Sequence, residues 1–335
     1  MGIELKSFSF ESLLRLLKRD TTRKKDSPGY AFVASTLGNS VSSLLLQDDR
    51  WVVSDARMPL QAPTSVVRSP CGPFIYAASA PTNSISAFKV ECDGELTRLN
   101  SLSVSIEPEA MAVCSTGRFL YVAGGQSRSL SVFRLDRNGT LSSPLVHQTQ
   151  AEVHELACHP EEPLLCLCNK KAGTLTFVSV SDNGEIEEVG SVDAGTEPAV
   201  ARWSQDGQTL FVLNAGLGIS VWKRSEGPEW KRVTFFPTGR GTSHFTLGPQ
   251  ANRLYIARFA EDEVSVYDLE GARLECRQTI PCPGGPSMLA MSRCGTQLLA
   301  ACVFEQLLSS YRVGEEGLLK APATIKLHSL PVAIV

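Results

Sequence analysis

The 335-residue sequence is poor in anything that would anchor it in a membrane, draw it to nucleic acid or give it a ready-made cofactor loop. Its apolar runs, such as Leu44-Leu45-Leu46 and Leu298-Leu299-Ala300-Ala301-Cys302-Val303, fall far short of the roughly 20 residues a bilayer-spanning helix needs. Charge of one sign is missing as well. With 32 basic against 35 acidic residues, scattered, the net charge of -3 leaves no nucleic-acid footprint. No leader with a charged and then an apolar stretch precedes the first of the ten cysteines; the expectation is a cytoplasmic protein with free thiols. No Walker loop and no Gly-x-Ser-x-Gly elbow occurs. Gly239-Arg240-Gly241-Thr242-Ser243-His244 is not a dinucleotide loop, because its last position is not glycine and no helix follows. No cofactor is expected.

What the sequence has is a repeat. Pro63, Pro108, Val153, Pro198, Thr242, Pro286 and Pro331 are spaced by 45, 45, 45, 44, 44 and 45 residues. Nine residues after most of these anchors stands a turn glycine (Gly72, Gly117, Gly207, Gly295), and twelve after begins an apolar strand, as at Ile75, Leu120, Leu165 and Leu210. A third strand follows and ends on a large or branched residue such as Phe88, Phe133 or Trp222. It runs into Asp93-Gly94, Asn138-Gly139 or Asn183-Gly184, dipeptides that reverse the chain because glycine accepts positive φ without steric cost. Each unit therefore predicts four short antiparallel strands, one blade of a β-propeller.

The predicted fold is all-β, a single seven-bladed propeller over residues 29–335. Tyr30–Ala34 starts at the second-strand position of a unit lacking its first strand, and Pro331–Val335 is a first strand with nothing after it. Pairing the two would close the ring and remove two open edges. Residues 1–28 lie outside the repeat. Phe10, Leu13, Leu14 and Leu17 recur at helical spacing and predict a short amphipathic helix; Lys18-Arg19 and Arg23-Lys24-Lys25 read as a solvated linker.

First strands line a propeller's channel, so the residues just after the anchors are candidate site residues. They include Glu109, His154, Glu155 and His244, joined at the same mouth by Lys170, Arg240 and Arg258. Imidazole titrates near neutrality, so His154 could act as general base on a water, with Glu155 as a candidate orienting partner. His244 sits one place further from its anchor, where an interface histidine and a ligand-binding one remain alternatives. Arg202 reads as a blade-to-blade hydrogen-bonding arginine. His154-Glu155-Leu156-Ala157-Cys158 imitates a zinc-protease motif but ends in cysteine and lies on a strand. Cys158, Cys166 and Cys168 read as core packing rather than zinc ligands. No metal is expected.

Gly117–Ala123, Leu130–Leu135 and Tyr311–Leu319 resemble the seven-bladed lactonases, a family that includes the propeller-type 6-phosphogluconolactonase and is related to the fungal carboxymuconate lactonising enzymes. The resemblance spans residues 30–335 and implies hydrolysis of a sugar lactone such as 6-phosphogluconolactone. Of the family's channel positions, His154 matches. Ala199-Val200 replaces an Arg-His pair, Ala215 a glutamate, Phe259 and Ser287 two arginines. Two readings follow: a lactonase acting on a small anionic lactone, with His154 and Glu155 catalytic and Arg258, Arg240, His244, Glu109 and Lys170 binding substrate, or a non-catalytic scaffold holding a protein partner on its rim.

Overall fold

The computed structural model describes residues 29–335 apart from 48–49, 226–228, 251, 271–272 and 293, and gives no side-chain placement at 55–56. The helix expected at Phe10–Leu17 lies outside the described residues. All secondary structure described is β, arranged as seven four-stranded antiparallel sheets.

The blades are numbered here by their innermost strands: Pro63–Arg68 (I), Pro108–Val113 (II), Glu155–Cys158 (III), Pro198–Trp203 (IV), Thr242–Leu247 (V), Pro286–Met291 (VI) and Pro331–Ile334 (VII). In blade VII that strand pairs with Gly29–Ser35, Val33 opposite Ile334 and Ala34 opposite Ala333. Phe32 and Val335 exchange backbone hydrogen bonds of 2.8 and 3.0 Å at its end.

Sequence decides depth within a blade. Second strands are mostly apolar, as in Phe119–Gly124, Leu164–Asn169 and Gln297–Cys302, where every residue is buried. Outermost strands such as Ile186–Asp193 are largely exposed. Neighbouring blades bury their apolar side chains against one another. Tyr76, Ile85, Leu120 and Phe133 fill the space between blades I and II. Between III and IV, Phe177 stacks on Trp230 at 5.1 Å and Trp203 meets the same indole edge-on at 5.0 Å. Cys166 and Cys168 are buried in that core, as their alternation predicts, and all ten cysteines are free.

One feature of the inner strands positions the site. In blades I, II, IV, V and VI the pairing register shifts by one residue just after the anchor. The residue following the anchor is thus a β-bulge, and a bulge re-aims its side chain out of the strand's alternation. These residues are Thr64, Glu109, Ala199, Ser243 and Ser287. Because strands alternate in direction, the entry loops, the bulges and the turns between second and third strands share one face of the ring.

Candidate functional site

On that face the bulge hydroxyls tie one blade to the next. Thr64 Oγ1 donates to the Pro108 carbonyl and Ser243 Oγ to the Pro286 carbonyl, both at 2.8 Å. Thr36 Oγ1, from the blade VII turn, donates to the Pro63 carbonyl at 2.8 Å. His154 stands at the equivalent place in blade III. Its backbone N–H donates to the Cys168 carbonyl at 2.9 Å, but its Nδ1 is buried and has no hydrogen-bond partner among the described residues. Buried polar atoms are almost always paired in folded proteins; this nitrogen is left unsatisfied, while the residue as a whole is only half-buried.

Glu155, the next residue, serves Arg202. The Arg202 Nη1 donates to Glu155 Oε1 at 2.6 Å, and its Nη2 lies 3.1 Å from His244 Nε2. His244 Nδ1 in turn faces the Leu289 backbone N–H at 3.2 Å. A continuous polar belt therefore crosses the inner strands of blades III, IV, V and VI. Arg202 acts as the blade-to-blade arginine expected from its position. Both neighbours of His244 are donors. A neutral imidazole accepts from one of them at a time, and an imidazolium, a donor at both nitrogens, could accept from neither. Burial first, and the Arg202 guanidinium second, hold His244 well below the ordinary histidine value. Burial pushes the Glu155 carboxyl up, with Arg202 pulling against it.

The cations of the mouth are mostly matched. Lys171 pairs with Glu152 at 2.6 Å, and the carboxyl is held below its usual value first by that lysine's hydrogen bond. Lys170 lies 3.6 Å from Glu197. Arg258 donates to the Thr238 carbonyl at 3.3 Å and lies 3.2 and 3.7 Å from the carboxylates of Glu261 and Glu263. Arg240 is exposed and has no ion pair among the described residues. Glu109 is exposed and folds its carboxylate over Gly125, at the turn of its own blade. Where the resemblance places an arginine, Phe259 packs against Phe304 with ring centroids 5.1 Å apart. Sequence reasoning singled out Arg258 but not Glu261 and Glu263, the carboxylates that match it.

Among the described residues no cluster of three or more His, Cys, Asp and Glu could hold a metal, and no helix is long and apolar enough to cross a membrane. The opposite mouth of the channel opens into a cavity of about 280 Å³ lined by Trp203, Leu247, Pro249 and Met291, away from His154.

The architecture defines a class, the seven-bladed propellers, and the comparisons narrow it. Residues 30–159 match the family model described as lactonase, 7-bladed beta-propeller, a segment carrying Glu109, His154 and Glu155, so the resemblance to seven-bladed lactonases holds. No curated protein matches. A candidate 6-phosphogluconolactonase from Bacteroides uniformis shares the fold with a TM-score of 0.83 at 20% identity, over 92% of this chain and 99% of that one. A second, from Bacteroides fragilis, gives 0.81 at 17%, over 93% and 98%. The periplasmic gluconolactonase of Pseudomonas aeruginosa gives 0.76 at 14%, over 92% and 99%. At these identities the likeness is one of fold.

Proposed function

We propose that this chain is a lactone hydrolase with His154 as its general base. The observation that carries the reading is the half-buried imidazole of His154, with an unpartnered Nδ1, at a position where blades I and V place hydroxyls already bonded to the next blade. In lactone opening, water adds to the ester carbonyl carbon while His154 accepts its proton. The tetrahedral oxyanion then collapses, the ring C–O bond breaks, and the proton passes to the departing ring oxygen to give the open hydroxy acid. Such a base contributes roughly 10²- to 10⁴-fold.

The oxyanion needs a donor or cation, whose loss elsewhere costs about 10²- to 10³-fold. Arg240 supplies an exposed guanidinium, while Arg258 and Lys170 already carry carboxylate partners. Glu155, tied to Arg202, fixes the strand that begins beside His154. The substrates suggested by the resemblance are sugar lactones, 6-phosphogluconolactone among them.

The test is acid release at constant pH from freshly prepared δ-lactones, phosphorylated and not. The wild type should exceed the spontaneous rate, and His154→Ala should bring it back toward the blank. A wild type indistinguishable from the blank on every lactone would refute the reading. Activity that survives in His154→Ala would refute the base.

A further inference from the structure

We propose that the mouth takes a neutral lactone bearing an aromatic or alkyl group, gripped by Phe259 and Phe304, in preference to a phosphorylated sugar. This rests on the lactonase reading above and adds its substrate class.

Two independent observations converge. The first is electrostatic. A phosphate monoester carries close to two negative charges at neutral pH and needs several free cations. Lys170, Lys171, Arg202 and Arg258 are already neutralised by Glu197, Glu152, Glu155 and Glu261. The guanidiniums on this face without an ion pair among the described residues are Arg240 at blade V and Arg128 near Glu152 at blade II; they stand on different blades, enough for an oxyanion and not gathered to hold a dianion as well.

The second is the shape of the turns ringing the mouth. In four consecutive blades, IV to VII, the turn between second and third strands presents an apolar side chain: Leu217, Phe259, Phe304 and Leu37, of which Phe304 is 70% exposed. Phe304 faces water and Phe259 is half-buried beside it; an exposed aromatic patch invites a covering group, and these two rings are held in place. Phe259 N–H donates to the Gly241 carbonyl at 2.7 Å, and Phe304 N–H to the Gly284 carbonyl at 2.9 Å. The Gly285 N–H donates to Asp262 Oδ1 at 2.7 Å. Gly285 has φ of 67°, and a Cβ there would lie 2.7 Å from the Phe304 ring and 3.1 Å from that of Phe259. Only glycine allows this φ cheaply and lets both rings close over the loop. The pair is a rigid aromatic wall at the mouth, the surface on which a planar apolar group stacks.

Dihydrocoumarin, a neutral aryl lactone, and coumarin, a slowly hydrolysed analogue read by ligand-observed NMR, separate binding from turnover. Expected are coumarin binding that weakens about tenfold in Phe304→Ser, and a kcat/KM for dihydrocoumarin above that for 6-phosphogluconolactone that falls about tenfold in the same variant, through KM. Phe304 is exposed, so folding should survive; Phe259→Ser tests the second ring and should act in the same direction. Absence of coumarin binding, equal binding by wild type and Phe304→Ser, or faster turnover of the phosphorylated lactone would overturn the proposal. Phe304-dependent coumarin binding with no lactone of either kind hydrolysed would instead overturn the lactonase reading and leave the aromatic wall standing.

Discussion

His154 and His244 show how one residue type takes two roles from its place on a strand. His154 follows its anchor by one residue and keeps a nitrogen in reserve; His244 follows by two and has donors at both nitrogens. The depressed His244 value makes stability fall on acidification. The unfolded chain binds a proton below about 6.5, the ordinary value, while the folded chain refuses it. Stability is therefore full above that pH and declines below it at up to about 1.4 kcal/mol per pH unit, until the folded value is reached. His244→Gln keeps an acceptor for Arg202 but cannot be protonated. Urea unfolding at pH 7 and pH 5 should show a steeper acid loss in the wild type than in this variant, and equal losses would contradict the account. In the sequence the two histidines were separable by offset alone. The partners were harder to see, because Glu155 to Arg202 and Arg202 to His244 are 47 and 42 residues apart. Those separations are close to one repeat, so equivalent positions of adjacent units were the signal to search. Carboxylates that match Arg258 arrive from the following turn and strand of its own blade, and no spacing rule singles them out.

Strands were the most legible elements. Continuous apolar runs marked the second strands and Gly-containing turns marked their ends, both local properties of the chain. Bulges were not legible. A one-residue register shift between Pro63 and Ser65, or between Thr242 and His244, is set by how a loop feeds its strand into a neighbouring blade, and the residues there range from threonine to alanine. Yet the bulge is what directs Thr64, Glu109 and Ser243 away from strand alternation. At Thr64 and Ser243 the bulge hydroxyl also carries an inter-blade bond. Ser243→Ala removes the donor to the Pro286 carbonyl and should cost about 1 kcal/mol, measured as a lower urea midpoint at unchanged slope. No shift in the midpoint would mean that water replaces the bond.

At the scale of the whole molecule, blade VII joins both ends of the described chain. Ala333 and Ile334 are nearly inaccessible to solvent, and they cover Val33 and Ala34. Deleting residues 331–335 would strip the inner strand from this blade and leave an unpaired apolar edge, the kind that recruits other chains. Loss of two or three buried aliphatic side chains costs about 3–6 kcal/mol, so the truncated protein should melt earlier and scatter light as oligomers; an unchanged melting temperature and a monomer would show that the pairing contributes little. The seven-fold plan was readable from anchor spacing, since each blade imposes the same length on the chain. What the mouth binds was not, because it depends on which charges from three different blades meet, and that is settled only when the ring is assembled.

As general base, the imidazole of His154 performs chemistry on a lactone. The most direct measurement is steady-state kinetics of lactone opening by wild type and His154→Ala, resolved into kcat and KM. In His154→Ala kcat should fall by at least about 10²-fold with KM little changed, since a general base acts on the water and leaves substrate contacts intact. A variant that keeps its kcat and loses only affinity, or loses nothing, would contradict it.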